Sequence, residues 1–512
     1  MSEQNVITLS PTDFKSRIRN EKLESKIVSA KEASLLIKNG MNIGVSGFTP
    51  SGYPKAVPVA LAERVKETGE EMRIGLFTGA SVGDELDGEL SRANIIARRL
   101  PYQTNNSLRE AINNGSCEYI DMHLSHTPQY VRYGFLGKID VAVVEAVAIT
   151  EDGHIIPSTS VGNTPVFVEM AEKVIVEVNL NQPLALEGMA DIYSPENPPH
   201  RKPIPIMTSC DRIGTSYIPC GLDKIAAIVV TDLKDKVRPL APIDDAAKKI
   251  SDNLLGFFRE EVKAGRLPEN LLPLQSGVGS VANAVLAGLV NSEFENLTCY
   301  TEVVQDSMLD LLDSGKAVCA STTSVTPSEE GLEKFKNNIE FYKDKIIMRP
   351  QEISNSPEVA RRLGVISINT AIEVDINGNV NSTHIMGQKM MNGIGGSGDF
   401  TRNAYISIFT TEAIAKKGDI SSIVPMVSHH DHTEHDVMVI VTDQGVADLR
   451  GLSPKERALK IINNCAHPDY RPMLMEYYEK ACAAKGKHTP MLLQEALSWH
   501  SRFVETGSMK VK

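Results

Sequence analysis

Short β-branched runs without polar alternation recur along the chain, at residues 73–77, 141–147, 174–178 and 225–230. A strand with one wet face alternates apolar and polar residues; these do not, so both of their faces are buried. Helical stretches separate them, and strands alternating with helices build an α/β domain around a mostly parallel sheet. Ahead of the first run, Ser29-Ala30-Lys31-Glu32 reads as a capping box, with Leu35, Leu36 and Ile37 following before Asn39-Gly40 stops the helix. Asn42-Ile43-Gly44-Val45-Ser46-Gly47-Phe48 is then a short strand entering a glycine-rich turn.

The pattern breaks at residues 233–243, where charges and two prolines mark a linker between domains at 1–232 and 244–512. Ile250, Leu254, Phe257, Phe258 and Val262 recur at helical spacing up to Gly265. Two extended stretches flank Asn377-Gly378, a hairpin signal. Strands are expected again at 423–427 and 437–441. The second half is thus also α/β, with some antiparallel structure. Helix, strand and glycine-rich turn open both halves, an order that suggests tandem duplication although no sequence identity links them. With 512 residues, two large domains agree with a prior of about 150 residues per domain.

Of the residues, 42% are hydrophobic and 23% charged, which excludes a disordered chain. The formal charge of −12 argues against a general nucleic-acid or anionic-membrane binder, since such binding is driven by clustered Lys and Arg. The seven cysteines are dispersed and none forms a C-x-x-C pair, so neither a disulfide framework nor a zinc ribbon is expected. No apolar run reaches the ~18 residues of a membrane span. Residues 1–27 lack an apolar signal core, and Lys510-Val511-Lys512 is not a peroxisomal address. A cytoplasmic protein is expected.

Four constellations carry chemistry. Gln275-Ser276-Gly277-Val278-Gly279-Ser280-Val281-Ala282 precedes an apolar helix, whose free N–H groups suit an anion. As G-x-G-x-x-A it imitates a dinucleotide fingerprint, with Glu302 placed 23 residues after Gly279. Pro268 and Pro273 interrupt the strand such a fingerprint needs, so a structural turn is the default. In Leu297-Thr298-Cys299-Tyr300-Thr301-Glu302-Val303-Val304 a lone carboxylate stands in an apolar strand. It is either used in chemistry or sits at an edge or cap, because an unpaired buried charge is costly. Residues 391–400 hold Gly393, Gly395, Gly396 and Gly398, a loop whose N–H groups suit an oxyanion or a phosphate. His429-His430-Asp431-His432-Thr433-Glu434-His435 resembles a metal site but matches no standard ligand spacing. A solvated polar turn is expected there, and no functional metal. No cysteine stands in a nucleophile motif with His.

Several segments together resemble the acetyl-CoA hydrolase/transferase family. They are Ser46-Gly47-Phe48-Thr49-Pro50-Ser51-Gly52-Tyr53-Pro54-Lys55, Leu274-Gln275-Ser276-Gly277-Val278-Gly279, Tyr300-Thr301-Glu302-Val303, Ile353-Ser354-Asn355-Ser356-Pro357, residues 391–400 and Cys465-Ala466-His467-Pro468. They span nearly the whole chain in order. Thr301 departs from the Ser common in relatives, and Ser280 from their Asn.

The resemblance implies two tandem CoA-transferase-type α/β domains with the active site between them, the C-terminal one carrying the catalytic Glu. It implies transfer of CoA between a short-chain acyl-CoA (succinyl-, acetyl- or propionyl-CoA) and a small carboxylic acid, by a ping-pong route through a glutamyl-CoA thioester on Glu302. Val278 and Gly396 are implied oxyanion donors, and Asn355 the residue that orients the thioester. Gly277, Val278, Gly279, Ser280, Val281, Asn392, Gly396 and Lys416 are implied contacts to CoA. Coenzyme A and its thioesters are then substrates, and no permanently bound cofactor is expected. A homodimer without nucleic-acid or membrane partners is the expected assembly. A thioesterase using the same site, an NAD-dependent dehydrogenase and an inactive CoA-binding sensor are the alternatives.

Overall fold

The computed structural model describes residues 7, 9–80, 83–237, 239, 242–484, 486 and 488–511. Part of the expected linker (residues 238, 240 and 241), the start of the chain and Lys512 lie outside the described residues. The chain divides into two compact units. The first comprises Met1–Pro239, Cys299–Gln305 and Cys319–Val359; the second comprises Leu240–Thr298, Asp306–Val318 and Ala360–Lys512. Glu302 therefore belongs to the first unit, whereas a single cut at the linker assigned it to the C-terminal domain. A linear boundary misses it because the chain returns to the first unit twice after leaving it.

The first unit is built on a seven-stranded, wholly parallel sheet. Its order is Glu118–Tyr119, Ile96–Tyr102, Ile74–Ala80, Asn42–Val45, Val141–Ala146, Lys173–Asn179, Ile225–Thr231. The strand met first in the chain is central, and succession runs outward on both sides of it. That makes the gap between Asn42–Val45 and Val141–Ala146 a topological switch point, where open α/β sheets place ligands beyond the strand C-termini. The loop of residues 46–55 leaves Asn42–Val45 at that end. The capping box at Ser29 and Glu32 forms as expected, but its helix is only Ala30–Ser34, so Leu35 projects with 51% exposure.

Buried charges fix this loop. Lys55, 2% exposed, places its ammonium 2.6 Å from Glu145 and 2.8 Å from Asp235. Burial opposes its charge, but Asp235 and Glu145 outweigh that and hold its pKa above the ordinary lysine value. Ser158, Asn179 and Gln182 donate further hydrogen bonds to Glu145. Glu177, from the next strand, accepts from the N–H groups of Lys55, Ala56 and Val57 at 2.8, 3.1 and 2.6 Å. It thereby caps the helix Ala56–Thr68, which has no cap of its own. Asp235, which the sequence pattern puts in the linker, is part of this core.

The second unit holds the parallel strands Leu274–Ser276, Ile366–Thr370, Ile406–Thr410 and Val439–Thr442, with Gly445–Asp448 antiparallel at the edge. The amphipathic helix runs Asp245–Lys263, capped by Asp244 on the Ala247 N–H, and packs on the apolar helix Ser280–Val290. Glu373–Asp375 and Val380–Asn381 form the hairpin at Asn377-Gly378.

One cysteine expectation is corrected: Cys210 and Cys319, 109 residues apart, form a disulfide within the first unit. Spacing carries no trace of it, because the tertiary fold alone brings the two together. Among the described residues no helix is long and apolar enough to cross a membrane.

Lys55→Ala leaves Glu145 and Asp235 buried without their cation, so it should cost the first unit about 3–5 kcal/mol. Scanning calorimetry should show the unfolding temperature falling. The deficit should shrink as pH is lowered, because protonation then removes the uncompensated charges.

Candidate active site

Glu302 follows the strand Leu297–Tyr300 and is held first by its backbone. Its carbonyl accepts from Thr323 N at 3.0 Å and from Thr322 Oγ1 at 2.7 Å. Val303–Val304 then pairs in parallel with Ser324–Val325. The side chain is half-buried, and Asn355 Nδ2 donates to its Oε1. Desolvation lifts the carboxyl pKa to about 7, opposed only by the Asn355 hydrogen bond. Near neutrality the group is thus divided between a neutral acid and a poorly solvated, reactive anion.

Asn355 is itself completely buried and braced. Ser354 Oγ donates to its Oδ1 at 2.8 Å, and its own N–H reaches Gln351 O. The preceding turn, Gln351–Ser354, is tied down by the bidentate Arg132–Glu352 pair at 2.7 Å per bond and by Gln351 Nε2 on Leu124 O at 2.9 Å. A fork-to-fork pair of this kind fixes direction as well as distance.

The loop of residues 46–55 covers the same strand pair. Ser324 Oγ donates to Phe48 O at 3.1 Å, Ser51 Oγ donates to Val325 O at 3.0 Å, and Thr49 and Thr326 share a hydroxyl contact of 2.6 Å. Gly52 has φ +66°, and a Cβ there would strike Ser160 Oγ, so only glycine fits the turn. Phe48, Ala80, Leu124 and Val303 close into a small apolar cluster against the residue that follows Glu302. Motif reading assigned no role to Phe48, Leu124, Lys55, Glu145 or Asp235. Glu145 and Glu177 carry the signal that marked Glu302, a lone acid in an apolar strand, but they are paired inside the core.

In the second unit, Gly277 N–H closes on Ile368 O at 3.0 Å, which ends the strand Leu274–Ser276. Gly279, at φ +115°, starts the helix Ser280–Val290, so the strand–turn–helix exists despite Pro268 and Pro273. Val278 stands 51% exposed, and its N–H takes no partner among the described residues. The same holds for the N–H of Gly396, which lies buried in the loop 391–398. Ser280 is half-buried, Val281 buried and Asn392 half-buried. Lys416 is exposed, with its ammonium 4.9 Å from the Phe503 ring. The structure thus joins Glu302 to Asn355 in the first unit. The second unit holds both glycine-rich turns, and Lys416 lies against the Phe503 ring. Among the described residues no group of three or more His, Cys, Asp or Glu is arranged to hold a metal ion.

Similarity to known proteins sets the class: the chain is an enzyme of the CoA-transferase class. Residues 12–230 match the acetyl-CoA hydrolase/transferase N-terminal domain and residues 331–478 its C-terminal domain. The chain belongs to the acetyl-CoA hydrolase/transferase family. It is 64% identical to a succinyl-CoA:acetate CoA-transferase of Clostridium kluyveri, over 96% of this chain and 92% of that one. It is 47% identical to an acetyl-CoA hydrolase of Candida glabrata, over 98% of each. The crystal structure of a 4-hydroxybutyrate CoA-transferase from Porphyromonas gingivalis shares the fold. Its TM-score is 0.63 at 23% identity, covering 90% of this chain and 99% of that one.

Because the folded-state pKa of Glu302 lies above the ordinary 4.5, the folded protein binds the extra proton between those values, and stability falls as pH rises through that window. Glu302→Gln, which keeps the shape without the charge, should therefore be more stable than wild type at alkaline pH and equal to it at acidic pH. Thermal melts across the range test this. Asn355→Ala removes the bond that favours the anion, so the carboxyl pKa should rise further. Carbon NMR of the labelled Glu302 carboxyl should show the titration moved to higher pH than in wild type.

Proposed function

We propose that this enzyme moves CoA between a short-chain acyl-CoA and a small carboxylate, with Glu302 as the covalent residue. The observation that carries the reading is the desolvated Glu302 carboxylate held by Asn355. Ionised, it attacks the thioester carbon; the acyl C–S bond breaks, CoA leaves as thiolate, and a mixed anhydride remains on Glu302. The thiolate then attacks the glutamyl carbonyl carbon. The first acid departs as carboxylate, leaving Glu302 as a CoA thioester. A second carboxylate runs the sequence backwards. Removal of water from the attacking oxygen raises its reactivity. Each attack builds a tetrahedral oxyanion, and the unpartnered N–H groups of Val278 and Gly396 are the donors this reading assigns to it, worth about 3–4 kcal/mol each in comparable sites. Asn355 steadies the glutamyl oxygen through both half-reactions. Gly277, Gly279, Ser280, Val281, Asn392 and Lys416 are assigned to CoA. Its remote nucleotide and pantetheine provide binding energy that assembles the reacting end.

The identity to a succinyl-CoA:acetate CoA-transferase supports succinyl-CoA and acetate as the substrate pair. A second reading, hydrolysis with water as acceptor, is favoured by the similarity to an acetyl-CoA hydrolase. One assay separates the two. With succinyl-CoA, acetyl-CoA should form only when acetate is added, and little free CoA should accumulate without it; equal release of CoA with and without acetate establishes the hydrolase.

Glu302→Ala should abolish transfer in a folded protein. Glu302→Asp should also fail, since one methylene displaces a nucleophile that must come within ~3–3.5 Å of the thioester carbon. Wild-type enzyme given acyl-CoA without acceptor acid should bind CoA covalently and be inactivated by borohydride. Peptide mass analysis should place the change on the peptide containing Glu302; modification of a cysteine would refute the assignment.

A further inference from the structure

The histidine-rich segment 429–436 binds no metal in the reading above, yet it is packed firmly into the second unit. His432 is 2% exposed. Its backbone makes a two-bond bridge to Val380, with Val380 N on His432 O at 2.8 Å and His432 N on Val380 O at 3.1 Å. Its ring lies 4.8 Å from that of Phe409, on the strand Ile406–Thr410. The imidazole therefore stands on the sheet scaffold, and its Nε2 lies 3.0 Å from Ser397 Oγ. Ser397 donates its own hydroxyl proton to Ile394 O at 2.8 Å. A hydroxyl has one proton to give, so with that proton on Ile394 O the imidazole Nε2 is the donor to the serine oxygen. The chain of bonds runs His432 to Ser397 to Ile394 and spans Gly395 and Gly396.

Asp431, the residue before, holds the other flank of the same loop. Its carboxylate accepts from Ser382 N at 2.6 Å, and Thr383 Oγ1 lies 2.9 Å from each of its oxygens. Thr383 O in turn receives the Met391 N–H at 2.8 Å. Consecutive residues of one segment thus grip the glycine loop at Met391 and at Ser397. The loop needs this grip, because Gly393 and Gly395 adopt φ of +157° and +60° and glycine gives no rotational restraint of its own.

We propose that His432, working through Ser397, is a positioning residue that fixes the direction of the Gly396 N–H toward the oxyanion. The inference rests on the oxyanion role given to Gly396 above. In this proposal His432 acts only through Ser397. Its effect is on the aim of a donor, and a small misplacement of reacting groups costs about 10²-fold in rate.

The test is a rapid-quench measurement of the CoA thioester on Glu302 after mixing enzyme with acyl-CoA without acceptor acid, read by mass. His432→Leu should slow its formation by about 10²-fold while the affinity for free CoA stays near wild type. His432→Gln, whose amide N–H can reach the same hydroxyl, should restore most of the rate. Ser397→Ala removes the same link from the other side without touching the histidine. It should be slow as well, and the double variant His432→Leu/Ser397→Ala should be no slower than the worse single one. A wild-type rate in both His432→Leu and Ser397→Ala overturns the proposal, as do multiplicative losses in the double variant. So does a loss of CoA affinity and thermal stability that accounts for the whole rate defect. If wild-type enzyme itself forms no thioester on Glu302, the failure lies in the reading of Glu302 and not in that of His432.

Discussion

One buried cation organises the first unit. Lys55 lies between Glu145 and Asp235 with almost no exposure, and a charge so placed holds its partners to narrow positions because any displacement uncovers an unpaired ion. Glu145 belongs to the strand beside Asn42–Val45, Asp235 to the chain after the last strand of the sheet, and Lys55 to the end of the glycine-rich loop. The trio ties that loop to the switch point of the sheet. Glu177 on the neighbouring strand adds the cap of the next helix. The loop so fixed lies over Val303–Val304 and Ser324–Val325 and helps to enclose the Glu302 strand. The reactivity assigned to one carboxylate thus depends on the neutralisation of others.

Burial raises the pKa of Glu145, Glu177 and Glu302 alike, and what differs is their partners. Where a cation or several N–H donors meet the carboxylate, as at Glu145 and Glu177, it serves the architecture. Glu302 has a single amide donor, from Asn355. The donor count distinguishes the surroundings of these carboxylates, and that count is a property of the fold. The glycine-rich turns of the second unit follow a related rule. Backbone N–H groups left free for a ligand require a chain that makes few bonds of its own, and such a chain has to be held from outside. At residues 391–398 Asp431 and His432 supply that hold.

Much of the fold was legible in the chain. The non-alternating apolar runs announced parallel strands, the Ser29–Glu32 box a helix start, Asn377-Gly378 a hairpin and the 250–262 periodicity a long helix. Each is a local pattern, because periodicity, capping and turn chemistry act over a few residues. The ordered motifs carry the resemblance that implies roles for Glu302, Asn355, Val278 and Gly396, and of these the fold joins Asn355 to Glu302 by a hydrogen bond. The limits of the two units were not legible in the same way. The returns of Cys299–Gln305 and Cys319–Val359 to the first unit depend on contacts far apart in sequence, and so does the disulfide between Cys210 and Cys319.

The sequence by itself determined the class of fold, the family and the residue types available for acyl transfer, since these rest on short-range propensity and on motifs that keep their order. Only the tertiary structure decided which lone acid meets a cation or several N–H donors and which meets a single amide. It also decided that Asp235 is core and not linker, and that His432 braces a loop where its spacing had suggested a solvated turn. Those outcomes follow from burial and from partners brought together across the chain, and neither exists until the chain has folded.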